Sequence, residues 1–387
     1  MSSRVDPTLL IELKKYGDVK IESCFNCGNC TAICPLATDE TPFPRNNLRM
    51  VQLGLRERLL HSIDPWLCYY CGDCSTTCPR QAEPAEAQMT MRRWLIAHYD
   101  WTGLARKFYT SPAWEIGSII LVGAIIALIF VFFSGPMVTD HVALTTFAPV
   151  YRVHYGDWVL AAFLSFFLLS NIFRMYWLTL REDSKIKIPF SLYITEAWNL
   201  IYHFATQKKF EKCDEEQKGF FQKKRWRNHW LLVSGYVLMF VLVVGFLPWF
   251  QTDNIYPIYH PQRWLGYYAT IALLYAGADI LWGRIKKEHQ MHRFSHLSDW
   301  IFPILLLLTT ASGILVHTFR YLGMPLATYY TYAIHLVILT PMLVLEVPFG
   351  KWSHLAYRPF AIYFQAIKQK ASALAEQAQP EAYAPAD

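Results

Sequence analysis

Charge is scarce in this chain. Only 17% of its 387 residues are Asp, Glu, Lys or Arg, where a soluble protein of this size carries about a quarter, and that shortage argues against a wholly water-soluble globule. The opening stretch, MSSRVDPTLLIELKKYG, lacks an apolar core followed by a cleavage site, so the expectation is an N-terminal part that stays in the cytoplasm. Nothing in the chain resembles an activated nucleophile or a matched acid–base pair, which leaves bond-making chemistry to other proteins. The net charge of +6 invites a nucleic-acid partner, yet 11 of the 36 basic residues fall between Arg181 and Arg227, one segment between two apolar runs. That is loop charge beside a membrane, and no nucleic-acid partner is expected.

Cysteine is also rationed, and almost all of it sits in one pattern. Cys24, Cys27, Cys30 and Cys34-Pro35 repeat as Cys68, Cys71, Cys74 and Cys78-Pro79, which uses eight of the nine cysteines. Structural zinc would be satisfied by four ligands and would need no second copy ending in Cys-Pro. The spacing C-x2-C-x2-C-x3-C-P is that of paired [4Fe-4S] clusters, in which the fourth cysteine of each run serves the other cluster. The expected sets are Cys24, Cys27, Cys30 and Cys78 for one cluster, and Cys68, Cys71, Cys74 and Cys34 for the other. Gly28 and Gly72 follow the second cysteine of each run, where a side chain would crowd the cubane. Cys213 stands apart and reads as an incidental thiol. Thiols kept at metal spacing fit a reducing compartment.

The apolar residues are concentrated downstream. Short helices are expected at 7–16 and 84–97, one amphipathic helix at 46–63, and a linker or interfacial stretch at 101–111. Six apolar runs follow, at 114–134, 155–179, 229–249, 264–283, 299–319 and 329–347, each near the roughly 20 residues that cross a bilayer. Loops 135–154, 250–263 and 320–328 carry one basic residue each, Arg152, Arg263 and Arg320, and the opposite side carries the rest. Positive-inside bias then predicts an inner-membrane protein with both termini and the cysteine region cytoplasmic. The domains expected are 1–110 for the clusters, 111–365 for the bundle with a cytoplasmic loop at 181–228, and a disordered tail at 366–387. Within the loop, 189–206 reads as a helix lying on the membrane or against the cluster domain.

Histidines within apolar spans are costly without a partner, and haem iron held between two helices is one such partner. His154, His317 and His335 lie toward the outer side, and His229, His296 and His354 toward the inner. His335 and His354 are 19 residues apart, about 28 Å along an unbroken helix, which suits one outer and one inner iron, with Pro348 bending the helix between them. His229 is placed to meet His354, while the outer partner of His335 is either His317 or His154. Arg174 and Asp279 are open to pairing, snorkelling or holding a haem propionate. Tyr151, Arg152, Asp157 and the outward-facing His260 mark a quinone vicinity.

With these motifs in hand, residues 15–370 resemble the membrane-subunit family of quinone-interacting membrane-bound oxidoreductases of sulfate-reducing microorganisms. There, a module like the small iron–sulfur subunit of heterodisulfide reductase is fused to a di-haem cytochrome b. The stretch from Tyr332 through His335 to Pro348-Phe349 and His354 is also similar to the last helix of the nitrate reductase gamma-subunit family, where both histidines bind haem. That family takes its other two ligands from one earlier helix, ten residues apart; here the residue ten after His229 is Met239. The fold class expected is therefore mainly α, a two-cluster helical ferredoxin-like domain on a six-helix di-haem bundle. The resemblance implies menaquinol as donor, two haems b, soluble flavin and iron–sulfur partner subunits, and adenylylsulfate (APS) reductase as eventual recipient. Against this stand a module that reduces menaquinone or serves a heterodisulfide-reductase-like subunit, and a simple membrane anchor for soluble redox subunits.

Overall fold

The computed structural model describes residues 4–182, 187–214, 224–287 and 289–378, and every regular element among them is helical. The cysteine region wraps short helices around one long helix, Pro84–Tyr99, of which all but His98 is buried. Trp66, Trp94 and Tyr99 pack in its core, and Tyr357 from the far end of the chain packs with them. Arg92 and Arg93 are buried on this helix because each has acceptors to meet. Arg92 Nε donates to Pro65 O at 2.6 Å, and Arg93 pairs with Glu86 at 3.0 Å and Asp299 at 3.1 Å.

The lead-in helix is shorter than expected, Leu9–Leu13, and 101–111 contains a helix at Leu104–Thr110. The single helix expected at 46–63 is two, Arg45–Gln52 and Arg56–Leu60. Gly54 breaks it with φ +65°, and a Cβ there would lie 2.4 Å from Asp6 O. Only glycine accepts both that conformation and that approach.

Among the described residues, six helices are long and apolar enough to cross a membrane: Pro112–Phe133, Val150–Arg181, Lys224–Phe250, Pro261–Lys286, Ser298–Tyr321 and Pro325–Glu346. These are the first to sixth spans. Small residues let them approach, as is usual in lipid, where packing rather than water expulsion joins helices. Gly235 of the third span meets Ala269 and Ala272 of the fourth, Gly277 meets Leu307 of the fifth, and Gly123 of the first meets Val337 of the sixth.

The sixth span does not bend smoothly to His354. After Pro341 it loosens into a π-helical turn at Met342–Glu346, breaks, and restarts as a 3-10 turn, Lys351–Ser353, leading into a helix His354–Ala378. That last helix overrides the disorder expected from 366. Ile362, Ile367 and Ala371 form a buried stripe on it that joins the core of the cysteine region, and residues 379–387 lie outside the described residues. Of the loop at 181–228, residues 183–186 and 215–223 lie outside the described residues, and Phe190–Thr195 and Ala197–Thr206 are helical. Their other side packs on the last helix, leaving Phe190, Ile194, Trp198, Ile201 and Phe204 exposed. An outward apolar face of this kind suits a helix lying in the membrane surface.

The two halves are riveted at Asp299, which begins the fifth span and is buried. It receives Arg93 from the cysteine region and Lys351 from the turn before His354, with Arg284 at 3.9 Å. Nearby, His296 Nε2 donates to Tyr109 O at 2.9 Å.

Candidate functional site: two cysteine loops above a histidine pair

The two cysteine loops are copies in space as well as in sequence. Asn26 and Tyr70 sit at φ +58° and +56°, and Gly28 and Gly72 at +88° and +95°. The short helices Asn29–Ala32 and Asp73–Thr76 follow directly. Each loop turns a backbone N–H onto its first sulfur, Asn26 N to Cys24 Sγ at 3.4 Å and Tyr70 N to Cys68 Sγ at 3.3 Å. The left-handed φ explains the glycines in both loops; at Gly72 a Cβ would also lie 2.9 Å from Gln290. Asn29 Nδ2 donates to Thr77 O at 2.7 Å, tying the third cysteine of one run to the fourth of the other.

Cys34, Cys68, Cys71 and Cys74 line one small cavity, which is the crossed set expected from the spacing. Cys213 lines it too, its thiol facing Cys71. The reading of Cys213 as incidental misses this, because its neighbours in sequence are charged and only the fold carries it there. Cys24, Cys27 and Cys30 are close enough for their charges to interact, with Cys27 exposed. Among the described residues no three ligating side chains close to the spacing of a single-ion site; a cubane spreads its four sulfurs around a larger frame. Burial raises the pKa of Cys68 and Cys74.

Directly beneath lies a histidine pair. His229, near the start of the third span, and His354 have ring centres 6.2 Å apart. Imidazole–metal bonds of about 2 Å on each side, the length known for zinc, would set two ring centres roughly 6 Å apart. Each ring gives Nδ1–H to a carbonyl: His354 to Lys351 O at 2.6 Å, His229 to Gln207 Oε1 at 2.7 Å. That fixes the tautomer that leaves Nε2 to ligate, the usual support of a metal-bound histidine. Burial and the Arg358 charge lower the His354 pKa and keep it neutral. One helical turn on, Arg358 stacks on Tyr69 and donates to Cys68 O at 3.1 Å.

The far end of the bundle is different. A cavity of about 290 Å³ runs inward between the second to sixth spans, lined mainly by apolar side chains. His335 is on its wall and donates Nδ1–H to Thr309 O at 3.0 Å, again leaving Nε2. Gly313 makes room for this ring, since a Cβ would lie 3.2 Å from it. His317 shares the cavity but is bonded at both nitrogens. Arg263 Nη1 donates to its Nδ1 at 3.2 Å, so Nε2 carries the proton and donates to Tyr267 Oη at 2.9 Å. His154 is not on the cavity wall; its Nε2 meets Val244 O. Among the described residues neither ring pairs with His335.

Of the expected quinone residues, only Asp157 reaches the cavity. Tyr151 is exposed, Arg152 is bonded to Tyr151 and Phe133 O, and His260 caps the fourth span at Gln262 N. Arg174 and Asp279 do not pair: the first donates to His98 O, and the second accepts from Asn228 and Lys224. What the sequence reading missed is the polar wall of Gln251, Gln262, Arg263, Tyr267 and Arg320. Arg263 is buried with Nε unbonded and no carboxylate paired to it among the described residues. A buried guanidinium of that kind suits a propionate or a quinone oxygen.

Residues 20–82 match the family model of a 4Fe-4S dicluster domain. Over 90 residues the chain is 36% identical to a heterodisulfide reductase C-subunit-like protein of Archaeoglobus profundus, covering 22% of this chain and 47% of that one. The chain thus spans about half the length of the curated relative it matches. No solved structure matches it. The molecule is an all-helical protein with an N-terminal iron–sulfur domain that resembles this heterodisulfide-reductase-type relative, joined to six long apolar helices. That architecture is consistent with an electron-transfer subunit of an oxidoreductase.

Proposed function

We propose that this chain is the membrane subunit of a quinone-linked oxidoreductase whose soluble partners are heterodisulfide-reductase-like flavin and iron–sulfur subunits. The observation that carries this reading is the short link from His354 through Arg358 to Cys68 O, which joins the histidine pair to the cysteine loops. Loaded, the sites would supply one-electron carriers from the lipid phase to the soluble side, as two [4Fe-4S] clusters and two b haems. Cys24, Cys27, Cys30 and Cys78 would hold one cluster, and Cys68, Cys71, Cys74 and Cys34 the other. His229 and His354 would hold the inner haem, and His335 the outer one, with the thioether of Met239, which lines the same cavity, as its second donor. His317, bonded through both nitrogens, works instead with Arg263, Gln262 and Tyr267 on a quinone head group. Asp157 faces the same space and is suited to take a quinol proton.

The charge asymmetry of the loops supports an inner-membrane orientation with the cysteine loops in the cytoplasm. The name of the Archaeoglobus relative favours heterodisulfide-reductase-like partners, and with them a module able to run toward menaquinone reduction. Menaquinol oxidation with delivery toward APS reductase, which the quinone-oxidoreductase resemblance implies, is the second reading. One experiment tests the core of both: a reduced-minus-oxidised spectrum with pyridine haemochrome quantification, followed by a menaquinone analogue added to dithionite-reduced protein. Two b haems per chain, with cluster and haem signals reoxidised together, are expected. Iron and acid-labile sulfide without porphyrin, or clusters that stay reduced, would leave a membrane anchor.

A further inference from the structure

Two cubanes use eight cysteines, and Cys213 is the ninth. It lies outside the matched residues 20–82, yet lines the cavity shared by Cys34, Cys68, Cys71 and Cys74. Five cysteines therefore surround a site that needs four. Cys68 and Cys74 are more than nine-tenths buried, and no hydrogen bond meets the Cys74 thiol among the described residues. Cys71 is less buried than either and is the one that Cys213 faces.

The segment bearing Cys213 is held in place by several contacts. Phe210 is buried and stacks on Tyr69 at 5.0 Å, 14° from parallel, and Arg225 lies over Phe210 while donating to Tyr70 O at 3.1 Å. At its start, Gln207 accepts the His229 Nδ1 proton. Seven residues, 207–213, thus run from the support of the inner histidine to the wall of the cysteine cavity.

We infer that Cys213 is a reserve ligand of the second cluster, exchangeable with Cys71. In the exchange the iron–sulfur bond to Cys71 breaks and one to Cys213 forms. The Cys213 thiol proton passes to the Cys71 sulfur, and no electron is gained or lost. This rests on the cluster domain alone and not on the quinone reading or its direction.

The test uses the full-length chain in detergent, with iron, acid-labile sulfide and the EPR spectrum of the dithionite-reduced protein as readouts. Cys213→Ala is expected to keep about eight irons per chain. Cys71→Ala is expected to keep them too, with shifted g values, and Cys71→Ala/Cys213→Ala to lose about half. Cys34→Ala, which has no thiol in reserve, is expected to lose about half by itself. Equal loss in Cys71→Ala and Cys34→Ala, or a double variant no worse than Cys71→Ala, would overturn the inference. So would a Cys71→Ala chain that fails to accumulate where Cys34→Ala does, because a reserve ligand makes position 71 the more tolerant. Haem content and quinone reactivity do not enter these outcomes.

Discussion

The two ends of the bundle treat histidine differently. At the cluster end, His229 and His354 face each other with Nδ1 tied to a carbonyl and Nε2 left over. At the far end, His335 is prepared in the same way, but His317 has spent both nitrogens on Arg263 and Tyr267. A neutral imidazole that accepts at one nitrogen and donates at the other has no lone pair for a metal. The cluster end thus presents two facing imidazoles prepared alike, and the far end one such imidazole beside a polar pocket. Histidine count alone would have made the ends equivalent.

The hardest test of the comparison is to remove its strong side. His229→Ala and His354→Ala should each abolish the same haem, one per chain by pyridine haemochrome, and disconnect menaquinone from the clusters. His335→Ala should remove the other haem only. Unchanged haem content in both inner variants would reject the pairing.

A smaller effect comes from the support of the inner ring. Gln207→Ala leaves His229 in place but frees its Nδ1, and should weaken haem retention by about 10–100-fold, as loss of a ligand's supporting hydrogen bond does elsewhere. Haem loss to apomyoglobin would measure it; a variant that holds haem like the parent would mean that Gln207 does not orient His229.

At the far end, His317→Ala separates a ligand from a pocket residue. The bonds it makes predict an unchanged haem content and a slower reaction with menaquinol analogues. Losing a hydrogen bond to a charged group costs about 1.5–3 kcal/mol, or roughly 10–100-fold in rate. Loss of one haem instead would return His317 to the ligand role expected from its position.

How much of this was legible follows from range. The cysteine runs and apolar spans are local patterns, and the six long helices stand where apolar length puts them. His229 with His354 was also readable, since each lies where an apolar run meets basic residues. Cys213 was not, because its approach to Cys71 depends on Phe210 stacking on Tyr69, some 140 positions away in the chain. Nor was the polar wall: Arg263 reads as an ordinary loop charge until the fold buries it. The break at 342–353 and the helix to Ala378 escaped notice because Pro348 suggested a bend and the Ala- and Gln-rich composition suggested disorder. Tertiary burial of Ile362 and Ile367 overrides the second of these.

The mildest prediction concerns the seam that only the cluster end possesses. His296 donates Nε2–H to Tyr109 O, and its Nδ1 accepts from Ser298 N at 3.3 Å. A second proton would go to Nδ1, which faces Ser298 N at 3.3 Å and Ser298 Oγ at 3.0 Å. Burial, and then the charge of Arg93, lower its pKa from 6.5 to about 4. Between those values the unfolded chain binds a proton that the folded chain refuses, so stability is full above pH 6.5 and falls as pH drops toward 4. The slope from this one group is at most about 1.4 kcal/mol per pH unit, and partial exposure reduces it. His296→Gln keeps a donor for Tyr109 O but cannot titrate. Thermal unfolding of parent and variant in detergent from pH 4.5 to 7.5 should therefore show a shallower acid slope in the variant, with acid loss of clusters common to both. Parallel slopes would mean that the seam between iron–sulfur domain and bundle is insensitive to this proton, and that it is held by the Asp299 ion pairs and apolar packing instead.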